Sequence, residues 1–429
     1  MRLPYRLGLL TSAVAVVISL VPSQALAIPT VPPRAETAAL FDDDAGGSAN
    51  ADDPSIWVNK AHPARSLVIA TAKEGGLRVY DLKARLVQTI DAPAAPTSDA
   101  APGRFNNVDL LTGVRFPDGR ADVAVVSDRG RDRLRIYRID RHATSTPLTD
   151  VTDASAPRVF APTEAAVDDQ ETAYGLATYR DPRTHQAYAV VSQRHQTSLA
   201  LAQLKVRRDG SVGYDVVRRI ALPSQFRLPN GATWTPCDEP GVLPQVEGMV
   251  VDPDSGTLYA GQEDVGIWRL DASLRGKPKL VDKVIEYGVP GTYDPATEEC
   301  TSGVDPGFGG DHIRADVEGL TIYRDGRRGG YLLASSQGND TFVAYTRSGN
   351  RFLTSFAINS GRGLDGSQEC DGAAVTSTPL PGYPRGLLVV QDGQNTPDVV
   401  DGEGETRTNT DFKYVDWGEL AQATGLQRS

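Results

Sequence analysis

Six segments of the chain open on a residue able to hold a cation and run at once into a short apolar strand. Asp53 leads into Pro54-Ser55-Ile56-Trp57, Asp109 into Leu110-Leu111, Tyr174 into Gly175-Leu176, Glu247 into Gly248-Met249, Glu318 into Gly319-Leu320 and Asp371 into Gly372-Ala373. They recur every 53 to 73 residues, and all but Tyr174 are carboxylic acids. More acids stand beside them: Asp52, Asp316 two residues before Glu318, and Asp365 and Glu369 before Asp371. If folding brings these positions onto one ring, two carboxylates about 4 Å apart repel by about 4 kcal/mol at an effective dielectric of about 20. Protonating a glutamic acid to neutral pH instead costs a similar amount. Neither is sustainable around a whole ring, so hard cations are expected between the acids. Calcium suits them best, because it accepts six to eight oxygen ligands in loose geometry. Zinc does not: there are 5 histidines, none paired at ligand spacing, and the three cysteines form no CxxC.

The elements that must position these residues are short strands. In Asp311 to Asn350 an acid is followed by an apolar strand from Gly319, a turn at Asp325-Gly326, a second strand from Tyr331, a loop at Gln337-Gly338-Asn339 and a third strand near Tyr345. Each strand is bounded by Gly, Asp or Asn turn signals. The same grammar follows each of the other five openings, and six such units predict an all-β protein, a six-bladed β-propeller. The first strand of every blade then lines the central channel, with Asp53, Asp109, Tyr174, Glu247, Glu318 and Asp371 on its ring. The loops after the second strands form another ring, carrying Lys73, Asp128-Arg129, Gln193-Arg194, Glu263-Asp264, Gln337 with Asn339, and Gln391-Asp392. Blades one to three thus bring cations, and blades four to six bring acids and amides. Such a rim suits a polyanion, held on one side by Lys73, Arg129 and Arg194 and on the other through metal. No GxSxG, P-loop or RHGxRxP competes.

Residues 1–27 are set apart. Arg2 and Arg6 precede an apolar run from Leu9 to Val21, and Ala25-Leu26-Ala27 has the small-x-small pattern of a signal cleavage site. A secreted, extracellular protein is expected, with a leader at 28–50, a propeller at 51–421 and a tail at 422–429. The leader is rich in Pro, Ala and Asp and is expected to lie exposed across the barrel. The formal charge of −11 becomes more negative once Arg2 and Arg6 are removed, which disfavours nucleic acid and anionic membranes as partners. Long Gly/Pro-rich insertions, Leu228 to Leu243 and Tyr287 to His312, flank the fourth blade and carry Cys237 and Cys300. These two are the candidate disulfide, leaving Cys370 single; three free thiols are the alternative.

Several runs together resemble the β-propeller phytases, secreted calcium-dependent phosphatases of myo-inositol hexakisphosphate. They are Asp52 to Trp57, Asn106 to Asp109, Tyr174 to Leu176, Glu247 to Met249, Glu263 to Trp268, Asp316 to Tyr323, Ser335 to Asn339 and Gln391 to Gly393, and they span nearly the whole chain after residue 51. The resemblance implies that Tyr174, Glu247, Glu263, Asp316, Glu318, Gln337 and Asp371 hold catalytic calcium ions, with turnover resting on Glu318, Glu247 and Asp371. Asp53 and Asp365 would hold stabilising ions. Lys73, Arg129 and Arg194, with Tyr174, would bind phosphates of a substrate taken as its calcium complex by a monomeric enzyme. The sequence departs from the family pattern at Glu74, where a second lysine is common, at Arg194, where a lysine is common, and inside Asp365 to Asp371. A calcium-stabilised propeller that binds phosphorylated ligands without catalysis is the alternative expectation.

Overall fold

The computed structural model describes residues 27–426. The expected signal segment lies outside them except for Ala27. Six antiparallel sheets are arranged radially as a six-bladed propeller. Blade 1 runs through Pro54–Trp57, Leu67–Thr71, Leu77–Tyr80 and Leu86–Ile90, and blade 2 through Phe105–Phe116, Gly119–Asp128, Arg133–Ile139 and Leu148–Asp150. Blade 3 comprises Ala173–Arg180, Ala187–Gln193, Ser198–Val206 and Val212–Ala221, and blade 4 Val246–Asp252, Thr257–Gln262, Gly266–Asp271 and Lys279–Lys283. Blade 5 comprises Val317–Asp325, Gly329–Ser336, Thr341–Thr346 and Phe352–Ile358. The innermost strand of each blade packs on that of the next, and the innermost strand of blade 6, Ala373–Thr376, packs on that of blade 1, so the ring is closed.

The core lies between blades rather than at the centre. Successive side chains of a strand point to opposite faces, and Leu67–Thr71 shows the consequence. Leu67 and Ile69 pack with Val108, Val126 and Tyr137 of blade 2, whereas Val68 and Ala70 pack with Val389, Phe412 and Tyr414 of blade 6. A central strand buried on both faces reads as a continuous apolar run, which is how it appears in the sequence. Equivalent clusters fill the other gaps.

Blade 6 is completed from the other end of the chain. Its own strands are Ala373–Thr376, Leu387–Asp392 and Asn409–Asp416, and its outer edge is taken by Ala35–Glu36 and Leu40–Phe41, both antiparallel to Asn409–Asp416. Thr30–Val31 adds a parallel strand to the edge of blade 5. The segment expected as an exposed leader is therefore built into the sheets. Its polar composition suits an edge strand, a reading that hydropathy alone misses. At the other terminus a helix, Trp417–Thr424, starts on Asp416, whose carboxylate accepts from the Glu419 N–H at 2.9 Å, and ends at Gly425 in the left-handed region. Trp417 stacks on Tyr323 with ring centroids 3.8 Å apart. The two insertions beside blade 4 are joined by the Cys237–Cys300 disulfide, and Cys370 is buried and free.

A chain starting at Asp42 should lose the hydrogen bonds from Arg34 and Thr37 to blade 6 and those between Pro29, Val31 and blade 5. At roughly 1 kcal/mol each, about 4 kcal/mol of stability is at stake. Its melting midpoint by circular dichroism should fall; an unchanged midpoint would show that blade 6 needs no strand from the N-terminal segment.

Candidate active site

Inner strands enter the channel through β-bulges, devices that re-aim a side chain. Register shifts fall between Phe105 and Val108, Ala173 and Leu176, Val246 and Met249, and Glu318 and Leu320. Aligned on these bulges, the ring residues of blades 2 to 5 are Asn106, Tyr174, Glu247 and Glu318. The hydrogen bonds from Asp52 N to Thr71 O, Thr71 N to Asp53 O and Gln391 N to Gly372 O extend the alignment to Asp52 in blade 1 and Asp371 in blade 6. The residue after the ring position has little room. A Cβ on Gly175 would lie 2.1 Å from the Glu247 carbonyl oxygen, and one on Gly248 2.5 Å from that of Glu318.

Two expectations therefore shift. The ring member of blade 1 is Asp52, with Asp53 one residue further on, and that of blade 2 is Asn106, with Asp109 three residues further down the channel. Asp109 is occupied in bridging blades 2 and 3: its Oδ2 accepts from the Thr178 N–H at 2.7 Å and the Thr178 hydroxyl at 3.0 Å, and its Oδ1 from the Leu110 N–H at 2.7 Å. Asp53 accepts from the Val108 N–H at 3.0 Å, joining blades 1 and 2. The offset is one residue in blade 1 and three in blade 2; polar residues stand at both the expected and the observed positions, so hydropathy marks neither offset.

The structure brings the remaining acids together. Glu247, Glu263 and Glu318 are buried, and each offers one carboxylate oxygen such that all three oxygens lie within 4.8 Å of one another. Tyr174 Oη and Asn106 Nδ2 donate to the two oxygens of Glu247. Gln245 Nε2 donates to Glu263 at 2.9 Å, and Gln337 Nε2 to Asp371 at 2.8 Å. Glu263 Oε1, Glu318 Oε2 and both carboxylate oxygens of Asp52 have no hydrogen-bond partner. Burial, with Asp371 next in effect, pushes Glu247 up to about 7. Burial likewise lifts Glu263, Glu318 and Asp52 well above the usual carboxylate range, and mutual repulsion adds to it. At the outer lip, burial and Asp316 raise Asp264 to about 8, and burial and Asp238 raise Asp316 to about 6. An all-oxygen donor set with orphaned buried oxygens fits a hard divalent cation.

The loop ring is as the repeats predicted, since Lys73, Arg129, Arg194, Glu263 and Gln337 occupy equivalent positions after the second strands. Lys73 Nζ lies 3.3 Å from Asp371 Oδ2, where the basic and acidic halves meet. Arg129 lies 5.6 Å from the centre of the Tyr174 ring, and its Nε is buried without a partner. Burial, with Arg194 beside it, pulls the Arg129 guanidinium down to about 10. Asp365 lies apart from this bowl. Its carboxylate pairs with the buried Lys413 ammonium and accepts from Thr396 N. Lys413 also contacts Glu36, Asp411 and Asn395, each at 3.0 Å, and Asp392 at 3.3 Å. One ammonium does not neutralise four carboxylates, and Asp411 Oδ1 has no hydrogen-bond partner, so this cage has the donors for a further cation. Site residues missed in the sequence were Asn106 and Gln245, and Asp52 was placed beside the ring rather than on it; the available signal was their place at or just before the start of the first strands of blades 1, 2 and 4.

Fold and site together define a closed propeller with a channel mouth half acidic and half basic, made of groups that bind metal and phosphate oxygens. The comparisons identify the family. The model described as Phytase matches residues 3–227 and 239–428, so this chain belongs to the phytase family, a family of phosphoric monoester hydrolases. A curated relative, the 3-phytase of Bacillus subtilis (strain 168), is 32% identical over 387 residues, covering 89% of this chain and 83% of its own. Crystal structures of BBS1N in complex with ARL6DN, soaked with lead or mercury, resemble it with TM-scores of 0.38 and 0.40. Identity to them is 11% and 12%, with 85% and 91% of this chain and 78% and 93% of theirs covered. That likeness carries no functional argument.

In a chelator, Glu318→Gln should melt above the parent, because it removes one of three crowded buried charges or the cost of protonating it. The gain expected is on the order of 1–3 kcal/mol. The added stability that calcium brings to the parent should shrink in the variant. A variant less stable in chelator and equally responsive to calcium would contradict a cation site at Glu318.

Proposed function

We propose that this protein is a secreted, calcium-dependent phytase that removes phosphates from myo-inositol hexakisphosphate. The observation that carries the proposal is the trio Glu247, Glu263 and Glu318, buried and partly unpartnered, together with Arg129, whose Nε is buried without a partner and whose guanidinium lies over the ring of Tyr174, the donor to Glu247. Membership of the phytase family supports the substrate. Secretion is supported by the expected signal segment and the Cys237–Cys300 disulfide. No helix of the described residues is long and apolar enough to cross a membrane.

In this reading Tyr174, Glu247, Glu263, Asp316, Glu318, Gln337 and Asp371, joined by Asp52, hold the calcium ions of the site, and Asp53 and Asp365 hold ions that stabilise the blades. Bound calcium supplies positive charge that neutralises phosphate oxygens and lowers the pKa of water beside them. Lys73, Arg129 and Arg194 grip the phosphates from the other half of the rim. The fork of Arg129 matches two phosphate oxygens at once, which orients the ester for in-line displacement, and Arg194 adds positive charge beside it. Tyr174 donates to Glu247 and keeps that carboxylate turned into the bowl. The substrate enters as its calcium complex, which offsets the protein's negative charge, and the protein acts as a monomer.

Phosphate release from phytate should need added calcium and stop in EDTA. Glu318→Ala should lower kcat at least 100-fold, and Arg194→Lys should keep activity within a few-fold of the parent. Turnover undiminished in EDTA would overturn the proposal. No release from phytate by the calcium-loaded parent, with a melting point still sensitive to chelator, would leave a binding protein instead.

A further inference from the structure

Arg104 lies at the seam between blades 1 and 2. Its backbone carbonyl accepts from Arg129 N at 2.7 Å, its own N–H donates to Asp128 at 3.1 Å, and the next residue, Phe105, donates to the Lys73 carbonyl at 3.0 Å. Arg104 and Phe105 are thus fastened by their backbone to two of the three loops that present rim cations, those of Lys73 and Arg129. Among the described residues its guanidinium forms one ion pair, with Glu74, Nη1 lying 3.5 Å from Oε1. Both side chains are partly exposed, at 18% and 25%, and Arg104 Nε is buried with no hydrogen-bond partner. A single long contact between partly exposed groups is a weak pair. A phosphate, which presents several oxygens to the planar fork, makes the stronger partner.

We propose that Arg104 is a fourth phosphate-binding cation of the bowl, and that Glu74 is a tethered anion that occupies it until a substrate phosphate takes its place. The proposal rests on the phosphatase reading above. It gives Glu74 a role: the side chain lowers affinity for phosphate at this corner and selects for ligands charged enough to displace it. Arg104 restores the positive charge that Glu74 subtracts beside Lys73.

The test is a double-mutant cycle of Arg104→Met and Glu74→Gln in the full calcium-loaded protein. It is read as KM and kcat for phytate and, separately, as the Kd of inorganic phosphate by titration calorimetry. Arg104→Met should raise KM and the phosphate Kd about 10-fold with a smaller change in kcat, and Arg104→Lys should fall between it and the parent. Glu74→Gln should lower both constants about 3-fold in the parent and leave them unchanged in the Arg104→Met background. An Arg104→Met protein within 2-fold of the parent in both constants, or a Glu74→Gln effect of the same size in both backgrounds, would overturn the proposal. If Arg104→Met does not fold, Glu74→Gln and Arg104→Lys decide it: no gain of affinity in the first, or no loss in the second, counts against it. A parent that binds phosphate but does not hydrolyse phytate would defeat the phosphatase reading alone, because the calorimetric cycle tests Arg104 independently.

Discussion

The approach of six inner strands around one axis leaves so little space that the residue after the ring position is glycine in blades 3 to 6, at Gly175, Gly248, Gly319 and Gly372. That approach governs the chemistry. It places the carboxylates of Glu247, Glu263 and Glu318 close enough that a single ion could touch all three, and it buries them so that water cannot relieve their repulsion. Asn106 and Tyr174 satisfy the oxygens of Glu247 and Gln245 one oxygen of Glu263, while Glu263 Oε1 and Glu318 Oε2 stay without hydrogen-bond partners. Buried polar atoms left in that state are costly. A cluster of them on otherwise well-bonded strands is what a cation site looks like before its cation is counted.

The scaffold tolerates this crowding because its cohesion lies elsewhere. Apolar clusters fill the gaps between blades, at a distance from the axis, and blade 6 is closed by strands from both ends of the chain. A charged centre therefore sits inside a ring held together at its periphery. The acids that do not take part in the bowl have other work. Asp109 joins blade 2 to blade 3, and Asp252 holds the buried Arg347 beneath blades 4 and 5.

The division of the rim into halves is also a property of the repeat. Lys73, Arg129 and Arg194 stand at the same loop position as Glu263 and Gln337, so one structural slot is filled with cations on one side of the channel and oxygen donors on the other. The cations of the basic half are sparsely ion-paired: Lys73 meets Asp371 at the seam, Arg104 meets Glu74, and Arg129 lies by a tyrosine ring.

Much of this was legible in the sequence. Short strands between turn residues, repeated six times with an acid at five of the six openings, determine the propeller, and the loop residues that recur with them determine the rim, because both depend on local pattern. Register and chain closure depend on contacts distant in sequence. The ring position moved by one residue in blade 1, from Asp53 to Asp52, and by three in blade 2, from Asp109 to Asn106, while the hydropathy pattern stayed the same. The polar N-terminal segment became an edge strand only because Asn409–Asp416 offered unpaired backbone groups. The sequence by itself determined which residues could bind metal and phosphate. The tertiary structure alone decided which of them share a site, since a strand alternates its faces every residue and a shift of one is invisible until its neighbour is in place.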